Sequence, residues 1–169
     1  MLSLNQDLLD EFLKKTITFK KTWPWEDAYL LRVIAALDTI ALDKVSVDKI
    51  NEAKLFIEKN TSLFSPIRHD LKMYNAYLLA SAADIEIALT EILSIYELFP
   101  KNILEETSYS FLAACIIYQG PNSNDIEFIV NQTLSFQKAL QNKHRFLITE
   151  QNYAYSALFA LANLKVEAT

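Results

Sequence analysis

Residues 55–83, LFIEKNTSLFSPIRHDLKMYNAYLLASAA, decide the fold. An amphipathic run ends at Asn60. A short loop then carries two hydrophobes, Leu63 and Phe64, before Pro66 breaks the backbone. From Asp70 to Ala82 the spacing predicts a second helix, with Leu71, Tyr74, Leu78 and Ala82 on one stripe. The unit is helix, loop with a plug, helix, and similar units are found on both sides of it.

Composition agrees with an all-helical chain. Of 169 residues, 51% are apolar, one is Gly (Gly120) and four are Pro. So little Gly argues against tight hairpins and against a Gly-rich phosphate cradle. Eight helices are predicted. Helix 1 runs from about Leu4 to Ile17, with Leu4, Leu8, Leu9, Phe12 and Leu13 on one face and the polar stretch 18–22 as its end. Helix 2 starts near Trp23–Asp27 and reaches Leu42; it is apolar on most faces and so expected at the centre. Helix 3, capped by Ser46 or Asp48, ends at Asn60. Helix 5 begins at Asp84 and closes before Pro100, helix 6 covers Glu105 to Gln119, helix 7 opens at Asn124, and helix 8 follows Thr149.

Phe12, Phe56, Tyr96 and Phe136 occupy matching places near the ends of helices 1, 3, 5 and 7, separated by 44, 40 and 40 residues. A loop hydrophobe follows each one (Phe19, Phe64, Ile103, Phe146). A second helix then begins with an aromatic and small-residue core. The expected architecture is a single all-α domain of four stacked antiparallel helical hairpins, about 3–43, 46–83, 84–119 and 124–165, arranged like an α-solenoid. Ala35–Ala36, Ala80, Ala113–Ala114, Ala157 and Ala160 let the second helices approach one another.

The net charge of −5 disfavours nucleic acid as a partner. No apolar run reaches the ~20 residues that a membrane span requires, and Asp7, Asp10 and Glu11 interrupt any leader-like pattern. The chain therefore reads as soluble and cytoplasmic. Its lone cysteine, Cys115, sits in the apolar run SFLAACIIY and reads as a core thiol. His69–Asp70 lacks the upstream histidine of a metal-hydrolase pair, and His69 and His144 lie two hairpins apart. Glu105–Glu106 point about 100° apart on a helix start, where acids are favoured in any case. No nucleophile, zinc or Walker-type motif is present, so no catalytic residue, metal or cofactor is implied.

Charge is the remaining functional signal. The turns from first to second helices collect Lys14, Lys15, Lys20, Lys21, Lys59, Arg68, Lys101, Lys143 and Arg145. The opposite rim collects Asp38, Asp43, Asp48, Glu52, Asp84, Glu86, Asp125 and Glu127. Of the two tryptophans flanking Pro24, Trp25 is expected to pack under helix 2 and Trp23 to be an exposed contact anchor. The candidate interaction surface is thus Trp23, Lys20, Lys21, Arg68, His69, Asp84, Glu86, Asp125 and Glu127. The expected function is a non-enzymatic protein-interaction or scaffold module that binds a protein partner or itself. The alternative is a carrier of an apolar small molecule between Tyr- and Phe-lined second helices.

Three segments carry a family resemblance: the loop with Lys59, Asn60, Phe64, Ser65 and Pro66; the turn His144, Arg145, Phe146, Leu147, Ile148, Thr149; and the Trp23–Asp27 helix start. In the second, one residue separates Leu from Thr where the family pattern has none. Over about residues 12–164 the chain resembles an uncharacterised family of bacterial all-helical proteins, a domain of unknown function. The resemblance implies an all-helical fold and no catalytic residues. Members of that family are often longer, so it also implies a short member or one lacking a C-terminal half.

Overall fold

The computed structural model describes residues 2–63, 65–68, 71–100, 108–120, 125–143 and 152–162. Among them are eight α-helices and no strand: α1 (Leu2–Thr22), α2 (Ala28–Ile40), α3 (Val47–Asn60), α4 (Lys72–Ala80), α5 (Ile85–Tyr96), α6 (Ser108–Gln119), α7 (Ile126–Lys143) and α8 (Asn152–Leu161). A 3₁₀ turn, Pro66–Arg68, leads into α4.

Local chemistry sets several of the starts. Asp27 accepts the N–H groups of Tyr29 (2.8 Å) and Leu30 (2.9 Å) at the head of α2, and Ser46 accepts that of Lys49 (3.2 Å) at the head of α3. These bonds satisfy donors that a helix end otherwise leaves open. At α7 the predicted cap, Asn124, lies outside the described residues, and its neighbour Asp125 accepts the N–H of Phe128 at 3.1 Å.

Several expected boundaries are corrected. Helix 1 does not stop at Ile17. Thr18 and Thr22 turn their hydroxyls back onto the carbonyls of Lys14 (2.9 Å) and Thr18 (3.0 Å), so the polar stretch stays helical. Phe19 is therefore a helical residue and not a loop plug. α4 starts at Lys72, and its buried side is Met73, Asn75, Ala76, Tyr77, Leu79 and Ala80 in place of the Tyr74–Leu78 stripe. The predicted plugs Phe64, Ile103 and Phe146, the pair Glu105–Glu106 and His144 lie outside the described residues.

The helices pair as α1 on α2, α3 on α4, α5 on α6 and α7 on α8. The second helices α2, α4, α6 and α8 touch in that order, and α3 also touches α5. The second helices bury alanine: Ala35, Ala76, Ala80, Ala113, Ala114, Ala157 and Ala160. Small side chains let helix axes come close. The central helix is α6, not α2. It buries Ser108, Ser110, Cys115, Ile117 and the whole run Phe111–Ala114, whereas α2 exposes Tyr29, Arg32 and Ile40. At the end of α6, Gly120 admits α8: a Cβ there would stand 2.5 Å from Leu161 Cδ2.

The first two hairpins share a polar knot. Asp38 of α2, fully buried, is ion-paired with Lys15 of α1 and accepts the N–H of Val45 at 2.9 Å. Lys44 donates to the carbonyls of Asp38 (2.9 Å) and Thr39 (2.5 Å) and pairs with Glu11 at 3.3 Å. Burial first, then the Asp38 carboxylate, push the Tyr77 hydroxyl of α4 from its ordinary 10 to about 12. Neither Asp38 nor Lys15 therefore belongs to a solvated charged rim. A charge in the middle of an apolar helix had to be paired to be buried there.

Candidate functional site

The site grows from the start of α5. Asp84 accepts the N–H groups of Glu86 (2.9 Å) and Ile87 (3.0 Å), which holds its carboxylate on the helix end where the dipole favours it. Glu86 stands exposed in the first turn. On one side α3 comes alongside, and Lys49, Glu52, Phe56, Ala83, Asp84, Ile85 and Glu86 line a groove of about 330 Å³. Lys49 donates to the Ala82 carbonyl at 2.7 Å, so its ammonium is engaged at the end of α4.

On the other side Glu91, Ser94 and Ile95 of α5, Tyr118 of α6 and Ile126 of α7 line a second groove of about 490 Å³. The Tyr118 hydroxyl is pushed up, first by burial and then by the carboxylates of Glu91 and Asp84. It remains a neutral donor at ordinary pH and reports both acids within electrostatic reach. Asp125 and Glu127, each exposed, flank Ile126 in the chain.

Two grooves of mixed lining thus lie against α5, with Glu52, Asp84, Glu86 and Glu91 among their lining residues and the exposed Asp125 and Glu127 next to Ile126 in the chain. Lys49 is the one base lining either groove among the described residues. Such an edge holds a cation or a basic side chain near an apolar one, and it repels phosphate.

The structure gathers only part of the predicted surface here. Asp84 and Glu86 line one groove, and Asp125 and Glu127 stand beside the other. Lys20 and Arg68 sit elsewhere and are occupied by the fold. Lys20 donates to the carbonyls of Pro24 (2.9 Å) and Glu26 (3.2 Å), closing the turn between α1 and α2. Arg68 donates to the Thr61 hydroxyl at 2.9 Å and to the Thr61 carbonyl, tying down the loop between α3 and α4. Lys21 is exposed, and His69 lies outside the described residues.

The tryptophans are reversed. Trp23 is 6% exposed, packs on Phe19 with ring centroids 5.3 Å apart, and donates its indole N–H to Asn51 at 2.9 Å. Trp25 is 97% exposed, with Tyr29, 70% exposed, one turn on. Once α1 is seen to reach Thr22, the reason is plain: Trp23 continues the face of Phe12 and Phe19 at helical spacing. Glu91, Tyr118 and Ile126 were missed because three different helices supply them and no local pattern joins them.

Cys115 is a free, buried thiol whose ionisation burial pushes up. It packs as a small apolar group, not as a nucleophile. Among the described residues no three His, Cys, Asp or Glu side chains converge as a metal site would require. None of their helices is long and apolar enough to cross a membrane.

A family model described as "Protein of unknown function (DUF4003)" matches residues 17–169. The chain belongs to the DUF4003 family. No curated protein and no solved structure matches it. The family contributes an all-helical chain without an assigned activity, and a DUF4003 site must be argued from its own residues. Apart from Phe12 of α1, the grooves, the Trp23 anchor and the Asp38 carboxylate lie inside the matched span, and Lys15 lies just ahead of it.

Proposed function

We propose that this DUF4003 chain is a non-enzymatic protein-interaction module, a short α-solenoid-like stack of divergent hairpins working in the cytoplasm. Its acidic edge along α5 takes a basic, amphipathic segment of a partner protein. The observation that carries this reading is the pair of grooves against α5, lined by Phe56, Ile85, Ile95 and Ile126 together with four carboxylates, Glu52, Asp84, Glu86 and Glu91. The apolar lining residues supply burial, while the acidic ones select a partner by charge and speed its approach. The buried free cysteine is in keeping with a reducing compartment.

The test uses fluorescence anisotropy with labelled amphipathic peptides matched in apolar content but carrying either Lys/Arg or Glu. The basic peptide should bind saturably and lose affinity with added salt. Asp84→Lys combined with Glu91→Lys should weaken it by about tenfold or more. Equal binding of both peptides, or no response to the double reversal, overturns the reading.

A further inference from the structure

α1 carries a second surface, away from the grooves. Leu9, Leu13 and Ile17 recur every four residues and are 48, 48 and 56% exposed. The inward side of the same helix is Phe12 and Phe19, and it is this side that joins the core shared with α2. Of the apolar face expected for this helix, Phe12 packs against the core while Leu8, Leu9 and Leu13 stand exposed: the apolar band of α1 is wider than α2 can cover. Isolated exposed leucines are ordinary, but a file of large apolar side chains at one-turn spacing along an outer helix has the form of a helix–helix seam.

The charges on this helix say what fits the seam. The exposed acids, Asp7 and Asp10, lie in its first half. The exposed bases Lys14 and Lys21 lie in its second half. Glu11 and Lys15 are engaged inward, with Lys44 and Asp38. A second α1 laid antiparallel sets each acidic half beside the other's basic half and opposes the two helix dipoles favourably, with Leu13 near the crossing point. A parallel copy would set acid on acid and base on base. An antiparallel pair of identical helices is also the self-complementary arrangement of a two-fold dimer.

We infer that the chain forms a two-fold homodimer through antiparallel packing of α1 on α1 across Leu9, Leu13 and Ile17. This holds whether or not the α5 grooves bind a peptide. Leu9 and Leu13 precede the family-matched span.

Sedimentation velocity over a range of micromolar concentrations tests it, with circular dichroism as the check on folding. The wild-type chain should sediment as a dimer, and Leu13→Glu as a folded monomer. Asp7→Lys with Asp10→Lys should weaken the dimer about tenfold or more, and adding Lys14→Glu with Lys21→Glu should restore it. Should Leu13→Glu fail to fold, oxidation of single-cysteine variants decides. Leu13→Cys should cross-link to itself across the two-fold, and Asp7→Cys should not. A monomeric wild type, a dimer indifferent to Leu13→Glu, no rescue by the second reversal, or cross-linking of both cysteine variants alike overturns the inference.

Discussion

The first two hairpins and the last two are built from similar helices but sealed by different chemistry. Between Glu11 and Lys72 the contacts are charged: Lys15 with Asp38, Lys44 with Glu11, and Glu26 shared by Lys54 at 3.0 Å and Lys72 at 3.5 Å. The ion pairs between two described residues fall in this half. Beyond α4 three aromatic pairs join the elements. Tyr96 meets Phe111 at 5.8 Å, Phe99 of the turn after α5 meets Tyr153 at 5.8 Å, and Phe136 meets Phe159 at 5.9 Å, all edge to face. Edge-to-face rings add roughly 0.5–1.5 kcal/mol beyond the area they bury. Buried ions instead offset a large desolvation cost, and then only as a complete set. The two halves should accordingly fail in different ways.

The largest effects separate them most clearly. Asp38→Leu strands Lys15 and the Val45 N–H, and should cost ~3–5 kcal/mol in urea denaturation. Adding Lys15→Met should return most of that loss, because both charges are then gone. In the other half Phe111→Ala should cost a similar ~3–5 kcal/mol, and no second truncation should rescue it. Equal rescue in both halves, or none in either, removes the distinction.

Alkali acts on buried groups in both halves, Tyr77 in the first and Cys115 in the second, and a single substitution separates them. Tyr77 ionises near 10 in the unfolded chain and near 12 in the folded one. The folded state thus keeps its proton where the unfolded state has lost it. Stability from this group is full below pH 10 and falls as the pH rises from 10 toward 12. Tyr77→Phe should flatten the loss of stability in that window, measured by denaturation at stepped pH. Equal slopes for the wild type and Tyr77→Phe would deny that the fold holds the Tyr77 proton.

The smallest effect belongs to the surface pairs. Glu26→Gln should cost under about 1 kcal/mol, and molar salt should erase the difference. A salt-independent loss would mean that Glu26 is part of the buried network after all.

Much of this was legible in the sequence because it is local. Helical spacing, Asp84 and Ser46 as caps, and the scarcity of glycine set the helices and their order. The register of α1 was not, since two threonines that look like a stop bond back onto their own helix. That one extension moves Phe19 from loop to helix and exchanges the roles of Trp23 and Trp25. Asp38 read as a rim acid because its partner, Lys15, lies 23 residues away on another helix. On the acidic edge, Asp84, Glu86, Asp125 and Glu127 could be read from helix starts. The grooves themselves could not, because α3, α5, α6 and α7 supply one or a few residues each.

The buried alanines of α2, α4, α6 and α8 have a consequence for how this chain can change over time. A methyl group in a closed contact leaves no room for growth, and each added methylene there costs on the order of 1–3 kcal/mol. The buried faces of these helices are thereby frozen, while exposed positions can trade residues at little expense. New specificities would arise at those permissive positions, carried by a core that tolerates almost no novelty.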